Sequence, residues 1–273
     1  MSTIHSITDL ADPRLVPFRM MRAQVGHLND GVFVAEGPKV VHRLLESGHE
    51  VLSVLLPPEW RAEFEPLLAA RPGTIDLFVA DLPVLEQLTG FVLYQGVLAL
   101  ARVPCAVTPE SLLALPRPRF FVALDGLGNA DNTGTIVRSA VALGAQALVV
   151  GETASHPYMR RAVRSSMGAM FKLPYLLSAD LAGTLAAMRE AGIRCVAAHP
   201  RAGVRTLWET DLVGDLCVVL GAEGPGLRPE IVAACDEAVT IPMEADVDSL
   251  NVASAAAVCF AEVQRQRAVR RGP

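Results

Sequence analysis

The feature that most constrains the fold is a series of short apolar runs that recur between helical segments in the second half of the chain. The runs FFVALDGL (120–127), QALVVG (146–151), RCVAAH (194–199) and LCVVLG (216–221) are continuous rather than alternating. Continuous apolar runs are typical of strands that are buried on both faces, and intervening helices favour parallel pairing. We therefore predict an α/β fold with a parallel sheet that helices cover on both sides.

The first hundred residues show the same alternation on a smaller scale, with a predicted strand at 31–37 and a helix at 38–48 as its clearest pair. Residues 104–119 (PCAVTPESLLALPRPR) contain four prolines and no clean periodicity. Proline removes a backbone donor and restricts its neighbour, so this stretch is the predicted linker. The predicted organisation is a smaller α/β domain at 1–104, a linker at 105–118 and a larger domain at 119–273.

Composition excludes several classes of protein. The formal charge is 24 − 29 = −5, which rules out a uniformly basic surface but allows a local basic patch. The five cysteines form no CxxC pair and no His/Cys cluster has ligand spacing, so we expect no metal site. No apolar run approaches the roughly 18 residues of a membrane span, and no signal-peptide pattern is present. We expect a soluble cytoplasmic protein that has no membrane partner.

The first polar segment that stands at the end of a predicted strand is LDGLGNADNTGTIVRSAVALG (124–144). Ligands of open α/β sheets gather at the carboxyl ends of strands, so polar residues there are candidates for a site. Asn132 precedes a helical pattern and is either an N-cap or a ligand-binding amide. Gly134 in the first turn suggests a close approach of another group. Arg138, among apolar neighbours, either extends to solvent from the edge of the core or is held at a pocket.

The second segment is LGAEGPGL (220–227), a strand end that runs into a glycine-rich turn. Its spacing is neither GxGxxG nor GxxxxGK[ST], which excludes the dinucleotide and P-loop patterns and disfavours an NAD-dependent oxidoreductase. The glycines serve either an ordinary tight turn or close contact between the backbone and a ligand. We expect Glu223 to fix this loop by accepting hydrogen bonds from backbone amides.

The third segment is IPMEADVDSLNVASA (241–255), in which a strand end is followed by a polar loop and then by a smooth apolar helix. Ser249 is the predicted N-cap of this helix, which we expect at 250–268. Asn251 offers an amide that can both donate and accept hydrogen bonds, and capping explains it less well.

Together, these segments resemble the SpoU (TrmH-type) RNA 2′-O-ribose methyltransferases of the SPOUT superfamily. Asn132, Gly134 and Arg138 match the first family motif, GAEGPGL matches the second, and IPM followed by SLNVASA matches the third. The order and spacing are those of the family, and the match covers roughly residues 118–268. One departure is Asn129-Ala130-Asp131, because the family usually has Asp-Pro directly before the motif asparagine. This departure bears on the shape of the loop.

The resemblance implies a SPOUT-type parallel sheet that ends in a deep trefoil knot, preceded by a smaller α/β substrate-binding domain similar to RNA-binding ribosomal proteins. It implies S-adenosylmethionine as cofactor, a homodimer through the knotted domain, no metal, and methyl transfer to a ribose 2′-hydroxyl of structured RNA. Ribosomal RNA is the preferred substrate. A transfer RNA methyltransferase and a non-catalytic RNA-binding protein remain as alternatives.

The resemblance also assigns residues to roles. The implied catalytic residues are Arg138, Asn132, Ser249, Asn251 and Glu223. The implied cofactor-binding residues are Leu220, Gly221, Gly224, Ile241, Met243 and Leu250.

A basic segment at 159–172 (MRRAVRSSMGAMFK) is the predicted site for RNA phosphates. Its cationic residues are Arg160, Arg161, Arg164 and Lys172. Arg160 and Arg164 share a helical face, and we expect the predicted helix at 158–169 to face the same sheet edge as the first motif. The alternative is a solvated face without a ligand. A weaker second candidate is the group Arg14, Arg19 and Arg22.

Overall fold

The structure is a computed structural model that describes residues 2–7, 9–21, 24–200, 205–244 and 248–271, without the side chains of residues 2, 24, 25 and 271. The chain divides into two compact units. The first comprises Met1–Cys105 and Tyr158–Lys172, and the second comprises Ala106–Pro157 and Leu173–Pro273. Both units contain strands and helices, in agreement with the predicted α/β class.

The strands of the described chain are β1 (Ser2–Ser6), β2 (Val32–Glu36), β3 (Val51–Leu56), β4 (Ile75–Val79), β5 (Leu98–Arg102), β6 (Phe120–Leu124), β7 (Ala147–Val150), β8 (Tyr175–Leu177), β9 (Arg194–Ala198), β10 (Arg205–Thr206), β11 (Leu216–Leu220) and β12 (Glu237–Thr240). The α-helices are α1 (Val16–Arg19), α2 (Gln24–Asn29), α3 (Pro38–Glu46), α4 (Arg61–Ala69), α5 (Leu82–Thr89), α6 (Pro109–Leu113), α7 (Ala130–Ala142), α8 (Arg160–Ser165), α9 (Leu181–Glu190), α10 (Pro229–Ala234) and α11 (Val252–Arg271).

The first unit contains a five-stranded sheet in the order β1-β4-β3-β5-β2. Strands β1, β4 and β3 are parallel, whereas β5 is antiparallel to both β3 and β2. Strand β1 was not predicted, because STIHS is short and polar; among the described strands it lies at the edge of the sheet and pairs with β4. The core on one side of this sheet includes Phe18, Met21, Leu55 and Phe78.

The second unit contains a seven-stranded sheet in the order β10-β12-β9-β11-β6-β7-β8, and every pair in it is parallel. The predicted parallel sheet is therefore confirmed. Strands β6 and β11 lie at its centre and are buried along their whole length. Leu124 is in register with Leu220, so the loops that follow β6 and β11 begin side by side. The carboxyl ends of β9 and β12 come next along the same edge.

The larger unit differs in two ways from the predicted continuous domain of 119–273. Residues Tyr158–Lys172 group with the first unit, because α8 packs against β2. The predicted helix at 158–169 is shorter, with α8 followed by a 3-10 turn at Ala169–Lys172.

The predicted linker at 105–118 contains α6, and Leu112 on that helix is buried in the core of the second unit. Burial of this leucine outweighs the effect of the surrounding prolines.

Helix α11 closes the second unit by packing against α7. Phe260 lies edge to face with Phe120, with ring centroids 5.5 Å apart, and the Arg267 guanidinium donates to the carbonyls of Arg119 and Gly214. These contacts hold the helix along its length. Among the described helices, none combines the length and the apolar character needed to cross a membrane.

Candidate active site

The glycine-rich turn after β11 is closed by its own backbone. Ala222 and Gly226 exchange two hydrogen bonds of 3.1 and 3.0 Å. A Cβ atom at Gly221 would lie 2.4 Å from the backbone of Gly226 and of Leu227, so a side chain at this position would break the turn. Gly224 and Gly226 have φ angles of 85° and 75°, a region that favours glycine. The glycine pattern is therefore a requirement of this loop.

Helix α7 begins one turn earlier than an Asn132 cap would require. Asn129 is its N-cap, with the side-chain oxygen 3.0 Å from the backbone nitrogen of Asp131. The interpretation of Asn132 as the cap is wrong, because Asn129, where the sequence departs from the usual family pattern, supplies the capping oxygen itself. Asn132 thus lies within the first turn of α7 with its amide available for other contacts.

Helix α11 begins at Val252, two residues later than predicted. The side-chain oxygen of Asn251 accepts hydrogen bonds from the backbone nitrogens of Ala253 at 3.0 Å and Ser254 at 3.4 Å. Asn251, not Ser249, is therefore the N-cap. Ser249 lies exposed in the loop before the helix.

The carboxylate of Glu223 joins the three polar segments. One of its oxygens accepts from the Asn132 side-chain amide at 2.5 Å and from the Asn251 side-chain amide at 2.9 Å. The two amides are themselves 3.4 Å apart, with Asn251 donating to the Asn132 oxygen. The prediction that Glu223 bonds to backbone amides of its own loop is wrong. Its partners are side chains that lie 91 and 28 residues away in the sequence.

The buried carboxylate of Asp125 connects the loops that follow β6 and β11. Asp125, which directly follows β6 and is 1% exposed, accepts hydrogen bonds from the backbone nitrogen of Arg228 at 2.9 Å and from its Nε at 2.7 Å. The Arg228 guanidinium also lies 2.6 Å from a carboxylate oxygen of Glu152. Asp125 thereby ties the end of the glycine-rich turn to the loop that precedes α7.

A cavity of about 350 Å³ opens beside Glu223 and Asn251. Its size is typical of a small-molecule site. All six residues predicted to bind the cofactor line it, and so do Glu223, Ser249 and Asn251; the six are Leu220, Gly221, Gly224, Ile241, Met243 and Leu250. Backbone groups and apolar side chains form most of the wall, which suits a ligand that is recognised through backbone hydrogen bonds.

Comparison with known proteins identifies the family of this chain. The family model described as the SpoU rRNA methylase family matches residues 119–261, which is more than half of the chain. The chain belongs to the SpoU rRNA methylase family.

Relatives and solved structures cover between 74% and 96% of this chain. An uncharacterized tRNA/rRNA methyltransferase of Mycobacterium tuberculosis is 35% identical over 270 residues, covering 96% of this chain and 92% of the relative. The 23S rRNA (guanosine-2′-O-)-methyltransferase RlmB of a Burkholderia species is 35% identical over 205 residues, covering 74% and 82%. The crystal structure of an S-adenosylmethionine-bound rRNA methyltransferase from Sinorhizobium meliloti superposes with a TM-score of 0.83 at 25% identity, covering 96% of this chain and 98% of that one.

One wall of the SpoU-family cavity was missed by sequence reasoning. Ala198, His199 and Pro200, at the end of β9, also line the cavity. The rule that ligands gather at the carboxyl ends of parallel strands applies to RCVAAH as much as to LCVVLG, so that signal was present in the sequence.

Arg138, the arginine of the first SpoU motif, lies outside the cavity lining. It is exposed on α7, and it makes no hydrogen bond or ion pair within the part of the chain that the structure describes. Its guanidinium is therefore available to a substrate group rather than held in place by the protein.

The basic segment contains two kinds of arginine. Arg160 forms an ion pair with Glu36, and its guanidinium carbon lies 4.9 Å from the centroid of the Phe91 ring. Its side chain is only 13% exposed, so Arg160 is held within the first unit. Arg164 also pairs with Glu36, at 2.9 Å, but its side chain is 55% exposed. Arg161 and Lys172 are exposed. A phosphate would therefore have to compete with the buried carboxylate of Glu36 for the Arg160 guanidinium.

The second basic candidate is largely engaged with the protein itself. Arg14 pairs with Asp12 at 2.6 Å, and this hydrogen-bonded contact lowers the pKa of Asp12 to about 2. Arg19 donates to the carbonyl of Leu10. Arg22 lies outside the described residues. This group therefore offers less free positive charge than its sequence indicates.

Metal ligands do not gather in the described part of the chain, where no group of three or more His, Cys, Asp and Glu side chains is placed to hold an ion. Cys195, Cys217, Cys235 and Cys259 are buried free thiols, whereas Cys105 is exposed. Burial raises the pKa of both Cys235 and Cys259 to about 12, so these thiols are neutral at physiological pH.

Proposed function

We propose that the chain transfers a methyl group from S-adenosylmethionine to a ribose 2′-hydroxyl of structured RNA, with ribosomal RNA as the substrate. The observation that carries this proposal is the junction of Asn132, Glu223 and Asn251 beside a cavity walled by backbone and apolar groups. Such a site suits a cofactor whose adenine needs apolar walls and backbone partners, next to amides that can position a sugar.

The residues present fit S-adenosylmethionine. Leu220, Ile241, Met243 and Leu250 provide the apolar walls of the cavity, and Gly221 keeps its rim open to backbone contact. When bound, the cofactor supplies an electrophilic methyl group on a sulfonium, which is already a good leaving group. We assign to Ser249 the bracing of the loop that borders this site.

Arg138 contacts the acceptor in this proposal. Its guanidinium stays protonated far above pH 7, so it is a poor general base. It instead orients the 2′-hydroxyl and the adjacent phosphate and stabilises the alkoxide charge that develops on the oxygen. Asn132 and Asn251 hold the ribose in line, and the oxygen has to approach within about 3 Å for attack. Glu223 keeps both amides in position.

Ribosomal RNA is favoured over transfer RNA by the names of the relatives. The Burkholderia and Sinorhizobium relatives are named as rRNA methyltransferases. The mycobacterial relative is named as a tRNA/rRNA methyltransferase and does not separate the two substrates. We assign the first unit to RNA binding, with a similarity to RNA-binding ribosomal proteins, and we expect the reaction to take place in the cytoplasm.

We further propose a deep trefoil knot in the second unit and a homodimer through the knotted region. The packing of α11 on α7 and the contact of Asn251 with Glu223 support a chain that returns through the loop around residues 221–227. In such a dimer each site can draw residues from both chains. Sedimentation equilibrium would test it, with an expected mass of twice the 29.1 kDa of one chain; a monomer at micromolar concentration would contradict it.

The function is tested by incubating the protein with methyl-tritiated S-adenosylmethionine and either rRNA or tRNA that lacks modifications. We expect label in rRNA, and mapping of 2′-O-methyl groups in total RNA should show one class of site that is lost in cells without the protein. Label in tRNA alone would favour the tRNA alternative. Binding of RNA without any methyl incorporation would favour a non-catalytic RNA-binding protein.

A further inference from the structure

The loop between α5 and β5 in the first unit alternates buried and exposed apolar side chains. Leu93 is 3% exposed and packs in the core, with Phe91 against it, whereas Val92 and Tyr94 are 83% and 84% exposed. These two are the most exposed large hydrophobic side chains in the described part of the chain. Two strongly exposed apolar side chains so close together on one loop make this surface a candidate for binding another molecule.

This loop is held rigidly on both sides of Tyr94. The Glu86 carboxylate accepts a hydrogen bond from the Leu93 backbone nitrogen at 2.9 Å. Gly96 has a φ angle of 71°, and a Cβ there would lie 2.7 Å from Pro57, so the backbone is closely packed at this point. Tyr94 is therefore presented on a fixed backbone, and a contact with its ring costs little ordering of the loop.

Tyr94 borders a small depression of about 50 Å³ that Arg164, Glu36 and Gln95 also line. Glu36 is shared by Arg160 and Arg164, so this cluster carries two positive charges and one negative charge, 2 − 1 = +1. The Arg160 side chain is 13% exposed and that of Arg164 is 55% exposed, so Arg164 is the arginine of this cluster that is accessible to a ligand. An exposed aromatic ring beside an exposed guanidinium is the combination that binds unpaired nucleotides.

We propose that Tyr94 stacks on an unpaired base of the RNA substrate while Arg164 binds the phosphate next to that base. The site is specific for a single-stranded loop or bulge, because bases within a continuous duplex are already stacked and offer no free face. Gln95, which is half-buried beside the ring, has an amide that can bond to a base edge. This inference rests on the proposed action on RNA and narrows its substrate to RNA with an unpaired segment at this surface.

The test uses the full-length protein and fluorescein-labelled oligoadenylate of about 12 nucleotides, a length within the range of single-strand sites. Fluorescence anisotropy gives Kd for this strand and for its duplex with oligouridylate. Tyr94→Ala should raise Kd for the single strand by about 5- to 100-fold, whereas Tyr94→Phe, which keeps the stacking ring, should stay within about 3-fold of wild type. Kd for the duplex should change by less than about 3-fold in both variants.

Val92→Ala is the matched control, because Val92 has the same exposure on the same loop but no aromatic face. It should leave Kd for the single strand within about 2-fold of wild type. As a second readout, Tyr94→Trp should retain binding, and its tryptophan fluorescence should be quenched when the oligonucleotide stacks on it. An unchanged Kd for Tyr94→Ala, an equal loss in Val92→Ala, or an unquenched Tyr94→Trp would overturn the proposal.

Binding of oligoadenylate needs neither the cofactor nor turnover, which separates this test from the proposed function. Loss of single-strand affinity in Tyr94→Ala together with absent methyl transfer in wild type would retain the stacking site and reject the enzyme. If wild type transfers methyl groups and Tyr94→Ala changes neither KM, nor kcat, nor the oligonucleotide affinity, the stacking site is rejected and the enzyme is retained.

Discussion

In each unit a glutamate carboxylate joins two donors that are distant from it in the sequence, and the junctions at Glu36 and Glu223 differ in the charge of the donors and in burial. Glu36 in the first unit holds two guanidiniums, and its side chain is 8% exposed. Glu223 in the second unit holds two neutral amides and is itself exposed. Removal of the carboxylate should therefore have different effects on the stability of the two units.

A buried charge that loses its partners is costly to a fold, whereas an exposed carboxylate that loses neutral amides can be solvated by water. We therefore interpret the Glu36 junction as a structural element and the Glu223 junction as a positioning element of the active site. The predictions below separate stability from activity in the two units.

The largest effect is expected for Glu36→Ala. Removal of this carboxylate leaves the buried guanidinium of Arg160 without its partner, and the free energy of unfolding should fall by about 3–5 kcal/mol. Urea denaturation followed by circular dichroism measures it. Glu223→Ala is the matched control and should lose less than about 1 kcal/mol, since both amides reach water. Equal losses in the two variants would remove the distinction between the junctions.

The next largest effect is expected for Arg138→Ala, which should lower the activity without changing the stability. Loss of the guanidinium that stabilises the developing alkoxide should reduce kcat by about 100- to 1000-fold, or about 3–4 kcal/mol. Because Arg138 is exposed and has no partner in the described chain, the melting temperature should not change. Calorimetric affinity for S-adenosylmethionine should remain within a few-fold. A variant with a tenth or more of wild-type activity would contradict the role assigned to Arg138.

Glu223→Gln should have an intermediate effect. The glutamine oxygen can still accept hydrogen bonds from the Asn132 and Asn251 amides, but these bonds become weaker because the negative charge of the acceptor is lost. We expect kcat/KM to fall by about 10-fold, or about 1.4 kcal/mol, with an unchanged denaturation midpoint. A fall in stability without a fall in kcat/KM would show that Glu223 acts as Glu36 does.

The smallest effect is expected for Arg164→Gln, compared with Arg160→Gln. The exposed Arg164 should contribute about one phosphate contact, so its loss should flatten the plot of log K against log salt by about 0.7–0.9. Arg160→Gln should lower stability and leave that slope unchanged, because its guanidinium is committed to Glu36. An equal change in slope for both variants would restore the original expectation that both bind phosphate.

The sequence predicted those features that depend on neighbouring residues better than those that depend on contacts between distant residues. The parallel strands followed from local patterns, whereas the residues that line the cavity, such as Leu220, Ile241 and Leu250, followed from the resemblance of the three motif segments to a known family. The cap positions were misplaced because the actual caps, Asn129 and Asn251, lie within three residues of Asn132 and Ser249, which are also of types that commonly cap helices.

Long-range side-chain partners were not accessible from pattern alone. Glu36 and Arg160 are separated by 124 residues, and nothing in GVFVAEG or in MRRAVRSS indicates that they meet. For the same reason the sequence could not show that residues 158–172 group with the first unit. Burial of a charged pair depends on tertiary packing, which periodicity does not encode.

The most direct test of the central claim is a crystal structure of the protein soaked with S-adenosylmethionine. The account predicts the cofactor in the cavity bordered by Leu220, Ile241 and Leu250, with Asn251 still bonded to Glu223 beside it. Cofactor density at another surface of the protein, with this cavity holding only solvent, would contradict the claim that the three segments form one methyl-transfer site.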